Sequence, residues 1–197
     1  MSKDTKTIIE NSIVSVGFVA FLWLIFLIDI ITPRHLFTLG IEPRSANGLM
    51  GVLFAPFLHN NFNHLLSNSW PLLPLSFYLL VWGRRVAVEA SLFIVATSGL
   101  CVWALAPSMQ VHAGASGLIY GLVGFLIVGG FMRKNIFYIS ISLIVIFFYG
   151  QTAIDAFTGI SSRPGVSWQS HLFGFISGVT YAAFFSRGNK TNKKALV

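Results

Sequence analysis

Charge is what this sequence has least of. Only 10% of its 197 residues are Asp, Glu, Lys or Arg, against roughly a quarter in soluble domains, so the chain cannot clothe itself in a water-facing surface. Acids are scarcest, six against 13 Lys and Arg. A single cysteine, Cys101, excludes an intrachain disulfide, and within its apolar run it reads as a small buried hydrophobe. What the chain does have is apolar bulk: 55% hydrophobic residues, 19 of them phenylalanine, and a mean hydropathy of +0.76. Together these point to an all-α polytopic membrane protein of one domain.

Charges and turn residues divide the chain into six apolar segments, at roughly 12–31, 62–82, 88–106, 115–131, 135–152 and 169–186. The first follows a short segment holding both Lys3 and Asp4 and lacks a small-residue cleavage motif, so it is expected to be a retained span. Residues 1–11 then form a short N-terminus, 12–186 the six-helix domain and 187–197 a basic tail, with no soluble extension expected.

The net charge of +7 would suit nucleic acid in a soluble protein, but its placement gives another reason, and no nucleic-acid partner is expected. Lys3, Lys6, Arg84, Arg85, Arg133, Lys134, Arg187, Lys190, Lys193 and Lys194 fall at the termini and in the second and fourth loops. Only Arg34, Arg44 and Arg163 fall in the alternate loops. Ten against three predicts both termini on the cytoplasmic side of the cell membrane.

The fourth segment is short. From Ser116 to Phe131 it spans about 24 Å, against a hydrocarbon core of ~30 Å. With Arg133 and Lys134 pinning its cytoplasmic end, Ser116 is expected below the outer surface, in a cavity open to the outside. The connection over 32–61 is long and apolar. Leu49, Leu53 and Phe57 recur there at every fourth position, which predicts a short helix lying in the interface or re-entering the outer leaflet.

Polar groups inside such a chain are costly and mark functional sites. Ser116 heads Gly114-Ala115-Ser116-Gly117-Leu118. At about 100° per residue, Ser116, Tyr120, Gly117, Gly121 and Gly124 share one side of a helix. His171 shares a stripe with Gly174 and Gly178 in the sixth segment. Glycine faces let transmembrane backbones approach closely, so packing the two together would bring the His171 imidazole within hydrogen-bond reach of the Ser116 hydroxyl. Serine with histidine is the minimum apparatus of nucleophilic acyl transfer.

A second polar cluster runs from His59 to Asn68. His64 and Asn68 share a helical face, and His59 lies about 140° from His64 on the same wheel. A metal site would want further Cys, His or carboxylate ligands nearby, and the sequence supplies none, so no metal or cofactor is expected. A polar interface cap suits Asn60, Asn61 and Asn63. An oxyanion hole suits His64, Asn68 and the Ser116 backbone N–H, which has no intrahelical partner in a first turn. Pro71 and Pro74 predict a kink beside Asn68. His112, four residues before Ser116, is a rival base, but in the turn after Pro107 it reads as a solvated surface histidine. Asp29 and Asp155 have no spacing that makes either a third member of the pair.

Three patterns stand in order on the second, fourth and sixth segments: His-x4-His-x3-Asn at His59, His64 and Asn68; Gly-x-Ser-Gly at Gly114 to Gly117; and His-x2-Gly-x3-Gly at His171, Gly174 and Gly178. In these the chain resembles the rhomboid family of intramembrane serine proteases, over the whole six-span core to about Ser186. The resemblance implies that Ser116 is the nucleophile and His171 the general base. It implies an oxyanion hole of His64, Asn68 and the Ser116 N–H, Tyr120 as the aromatic beside the base, and His59 in a supporting role. It also implies cleavage of transmembrane protein substrates, with small residues at the cut and helix-weakening residues beyond it. One feature departs: many members carry a Trp-Arg pair in the first long loop, and here no tryptophan lies between Thr32 and Leu58, though Arg44 follows Pro43. Two other functions keep the same residues: a catalytically inactive relative that binds transmembrane helices, and a small transporter whose histidines line a water path.

Overall fold

The computed structural model describes residues 2–32, 35–108, 110–158 and 167–194, with side chains as far as Ser186 except that of Ala156. Arg34 and Arg163, two of the cations assigned above to the outer loops, lie outside the described residues, as does 195–197 of the tail. The fold is all-α. Its helices are α1 (Lys3–Ile31), α2 (Ala46–Phe54), α3 (Phe62–Leu80), α4 (Arg84–Leu105), α5 (Ser116–Met132), α6 (Ile136–Thr158) and α7 (Trp168–Lys194). Six long helices thus occupy the six apolar segments, and the short α2 occupies the long connection. Three of them, α1, α4 and α6, are long and apolar enough to cross a membrane.

The outermost boundaries differ from expectation. Helix α1 begins at Lys3, because the Ser2 hydroxyl accepts from the Thr5 N–H at 3.1 Å and caps the first turn. Lys6 then pairs with Glu10, which also takes Arg84 at 2.8 Å. Helix α7 continues to Lys194, past the expected end at 186. No proline interrupts that stretch, although Gly188 lies within it. Helix α3 runs unbroken through Pro71 and Pro74. Its start is set by Asn61, whose side-chain oxygen accepts from the His64 N–H at 2.9 Å.

Helix α5 lies at the centre. It is apolar on every side, the pattern of a fully buried helix, and Leu122, Val123, Phe125 and Leu126 are buried along it. It packs most closely against α7 and also meets α3, α4 and α6. The glycine faces make that contact: the Gly117 carbonyl lies against Gly174, and the Gly121 carbonyl against Gly178, with no room for a methyl group at either. The outer helices instead turn apolar side chains outward, as Ile13, Phe147 and Phe148 show, which is the surface a lipid-facing helix needs.

The long connection folds onto the turn preceding α5. Ile41 and His112 exchange two backbone hydrogen bonds of 2.8 Å, and the Gly114 N–H donates to the Ala55 carbonyl at 2.8 Å. Asp29, at the end of α1, accepts from the Leu36 N–H. Helix α2, capped by Ser45, exposes Leu49, Met50, Leu53 and Phe54. Phe57, the last residue of the expected stripe, instead turns inward and meets Phe18 and Phe21 edge-on. Arg44 donates to the Ala104 and Ala106 carbonyls at 3.3 and 2.7 Å. From α4, Trp103 Nε1 donates to the Ser45 carbonyl at 2.8 Å.

Candidate active site

Ser116 is the first residue of α5 and no side chain caps that end. The N–H groups of the first turn therefore have no helical acceptors and point toward whatever lies beyond the helix. The preceding turn is held rigidly. Gly114 has φ +118°, a conformation that a side chain strains. A Cβ there would also come within 2.6 Å of the His64 ring and 3.4 Å of Asn68 Nδ2. Glycine is required at 114 on both counts, and its absence of side chain is what lets α3 approach the serine turn.

A cavity of about 740 Å³ opens beside this turn, and Ser116, His64, Asn68, Tyr120 and His171 all line it. The His171 ring lies flat on Tyr120, with ring centroids 4.0 Å apart and planes 8° from parallel. Ser116 and His171 share the cavity, but the expected hydrogen bond between hydroxyl and imidazole is not formed among the described residues. The side-chain nitrogen of Asn68 is buried and has no partner among the described residues. It is thus free to donate to a group placed in the cavity.

His59 lies outside α3, so its position relative to His64 is set by the chain reversal at 58–61 rather than by a helical wheel. Its ring centroid is 5.1 Å from that of His64. Its Nε2 accepts from the Ala115 N–H at 3.4 Å, which puts the ring proton on Nδ1. Burial, then the neighbouring His64, lowers its pKa to about 4 against a weak pull from the Phe57 carbonyl. The neutral ring is the form that can hold the serine turn from behind.

His112 is not the solvated surface histidine expected from its turn. It is 3% exposed, held by its backbone pairing with Ile41. Its Nδ1 is 2.7 Å from the Ser167 hydroxyl. Burial lowers its pKa, opposed by the Pro107 carbonyl. His112 lines the same cavity as Ser116, and its Nε2 is buried with no partner among the described residues.

The sequence profile of the Rhomboid domain matches residues 46–188. The chain belongs to the rhomboid family. A Mycobacterium tuberculosis protein, itself uncharacterized, is 40% identical over 174 residues, covering 86% of this chain and 72% of the relative. An uncharacterized Mycobacterium leprae protein is 35% identical over 175 residues, 86% of this chain and 69% of the relative. A protein of Acanthamoeba polyphaga mimivirus that is named as a rhomboid protein is 28% identical over 179 residues, 88% of this chain and 94% of its own length. The match begins at α2 and ends in α7, and no residue of α1 lines the cavity of this rhomboid chain.

Two features beside this rhomboid cavity escaped the sequence reading. Ser167 and Ser170 form a hydroxyl pair 2.9 Å apart at the start of α7, invisible beforehand because isolated serines beside a span read as interface polarity. The backbone pairing of Ile41 with His112 joins positions too distant for any local pattern to reveal.

Proposed function

We propose that this rhomboid chain is an intramembrane serine endopeptidase that cleaves the transmembrane segments of other membrane proteins. The observation that carries the reading is the parallel stack of His171 on Tyr120, at the wall of the cavity that Ser116 also lines. In the reaction, a substrate segment enters the cavity and a peptide carbonyl settles beside Ser116. His171 takes the hydroxyl proton as the serine oxygen attacks, and later gives it to the leaving amine. The oxyanion is held by the Ser116 N–H, the unpartnered Asn68 amide and the His64 ring. His59 keeps the serine turn in place through the Ala115 N–H. Water in the cavity then releases the acyl enzyme.

The basic residues of the termini and even-numbered loops favour cytoplasmic termini in the cell membrane, with the cavity open to the outer side. The test is labelling with a serine-directed fluorophosphonate alongside cleavage of a reconstituted transmembrane peptide. The wild type should react in both assays, and Ser116→Ala and His171→Ala in neither. Cleavage by purified Ser116→Ala protein would overturn the assignment. Peptide binding with neither labelling nor cleavage would instead support an inactive, helix-binding relative.

A further inference from the structure

His112 and Ser167 stand at matching places in the two halves of the site. His112 is four positions before Ser116, and Ser167 is four positions before His171. The two side chains meet at 2.7 Å between Nδ1 and Oγ. Neither end of this contact is loose. The His112 backbone is pinned by both hydrogen bonds to Ile41, and its ring is almost wholly buried. The Ser167 oxygen accepts from the Ser170 N–H at 3.2 Å, which makes it the cap of α7. It also bonds the Ser170 hydroxyl at 2.9 Å. A hydroxyl has one donor and two acceptor positions, and Ser170 N–H, Ser170 Oγ and His112 Nδ1 use all three.

Resting on the proposed peptidase reading, we infer that His112 is a positioning residue, which sets the start of α7, and with it the His171 ring, against the Ser116 turn through Ser167. The serine and the base are carried by different helices, so their separation depends on how α7 sits on α5. The glycine contacts fix how close the two helices come. Contacts between bare backbones do little to resist sliding or rotation at the helix end. The His112–Ser167 contact supplies that restraint one turn from the chemistry. Ser170, directly before His171, presents its carbonyl to Gly117, so a shift of the α7 cap is passed straight to the dyad.

The test uses the full chain in liposomes with a fluorogenic transmembrane peptide, each preparation titrated for active sites with the fluorophosphonate. His112→Ala and Ser167→Ala should each lower kcat on the order of 10-fold, the scale of a small misplacement of reacting groups, with KM little changed. The double variant should be no worse than either single one, because both remove the same contact. His112→Asn, whose amide can stand where Nδ1 does, should recover most of the rate. Full kcat in His112→Ala alongside an inactive Ser116→Ala protein overturns this inference and leaves the peptidase reading intact. Additive losses, or losses that only follow the folded fraction, also overturn it. Absence of cleavage and labelling in the wild type overturns both.

Discussion

Gly114 is the residue at which backbone and chemistry are least separable. Its positive φ and the 2.6 Å left to the His64 ring mean that Gly114→Ala strains the turn and displaces a proposed oxyanion donor together. Strain of this kind costs about 1–2 kcal/mol, yet cleavage should fall roughly 10²-fold or more, as when an oxyanion donor is removed. A cleavage assay on folded, purified protein separates the two effects. Asn68→Ala removes one donor and leaves the turn intact, so a trace of activity should persist. The buried His59 ring makes stability depend on pH. Above pH 6.5 its ring is neutral in both folded and unfolded chains. As pH falls from 6.5 toward about 4, the unfolded chain takes up a proton that the buried ring refuses, and up to about 3 kcal/mol of stability is lost. Thermal unfolding in detergent should show a fall in midpoint across that window, with a shallower fall in His59→Gln. Catalysis needs a neutral base, so cleavage by protein that is still folded should also decline on strong acidification; a rate that stays flat down to about pH 3 would count against His171 as that base.

At the scale of elements, the decisive contact is α5 on α7. Gly174 and Gly178 each face a carbonyl of α5 with no space for a methyl. Gly178→Ala should force the helices apart, lowering stability by about 1–3 kcal/mol and weakening cleavage by moving His171 from Ser116. A lower unfolding midpoint together with a lower rate per folded molecule is the expected pattern; an unchanged rate would mean the helix separation does not set the proposed dyad. The glycine faces were legible because a regular helix carries its pattern along the chain. The conformation of the long connection was not. Phe57 leaves the expected helical stripe to meet Phe18 and Phe21, and Trp103 reaches in from α4 to the loop. Such contacts join residues far apart in sequence, and neither spacing nor composition records them.

For the whole molecule, the placement of the cavity matters most. Helix α5 has 17 residues, about 26 Å, shorter than a ~30 Å hydrocarbon core. At its other end Arg133 lies over the Tyr138 ring at 4.1 Å and the Trp82 ring at 5.2 Å, a charged and aromatic anchor of the kind that holds a helix at an interface. With that end fixed, the length deficit falls at Ser116. In a Cys101→Ser background, Ser116→Cys should therefore react with a membrane-impermeant thiol reagent added from the outside of right-side-out vesicles. Reaction only from the inside would reverse the proposed topology. The sequence by itself determined that the chain is an all-α membrane protein, where its six long helices lie to within a few residues except at the two outer ends and at the end of α6, which runs to Thr158 rather than 152, and which serine and histidine carry glycine faces. Hydropathy and helical period are properties of neighbouring residues, and those suffice for such conclusions. Only the tertiary structure decided that His112 is buried, that the long connection clamps the serine turn, and that Ser167 joins the turn to α7. Those facts depend on hydrogen bonds between segments brought together only when the chain folds.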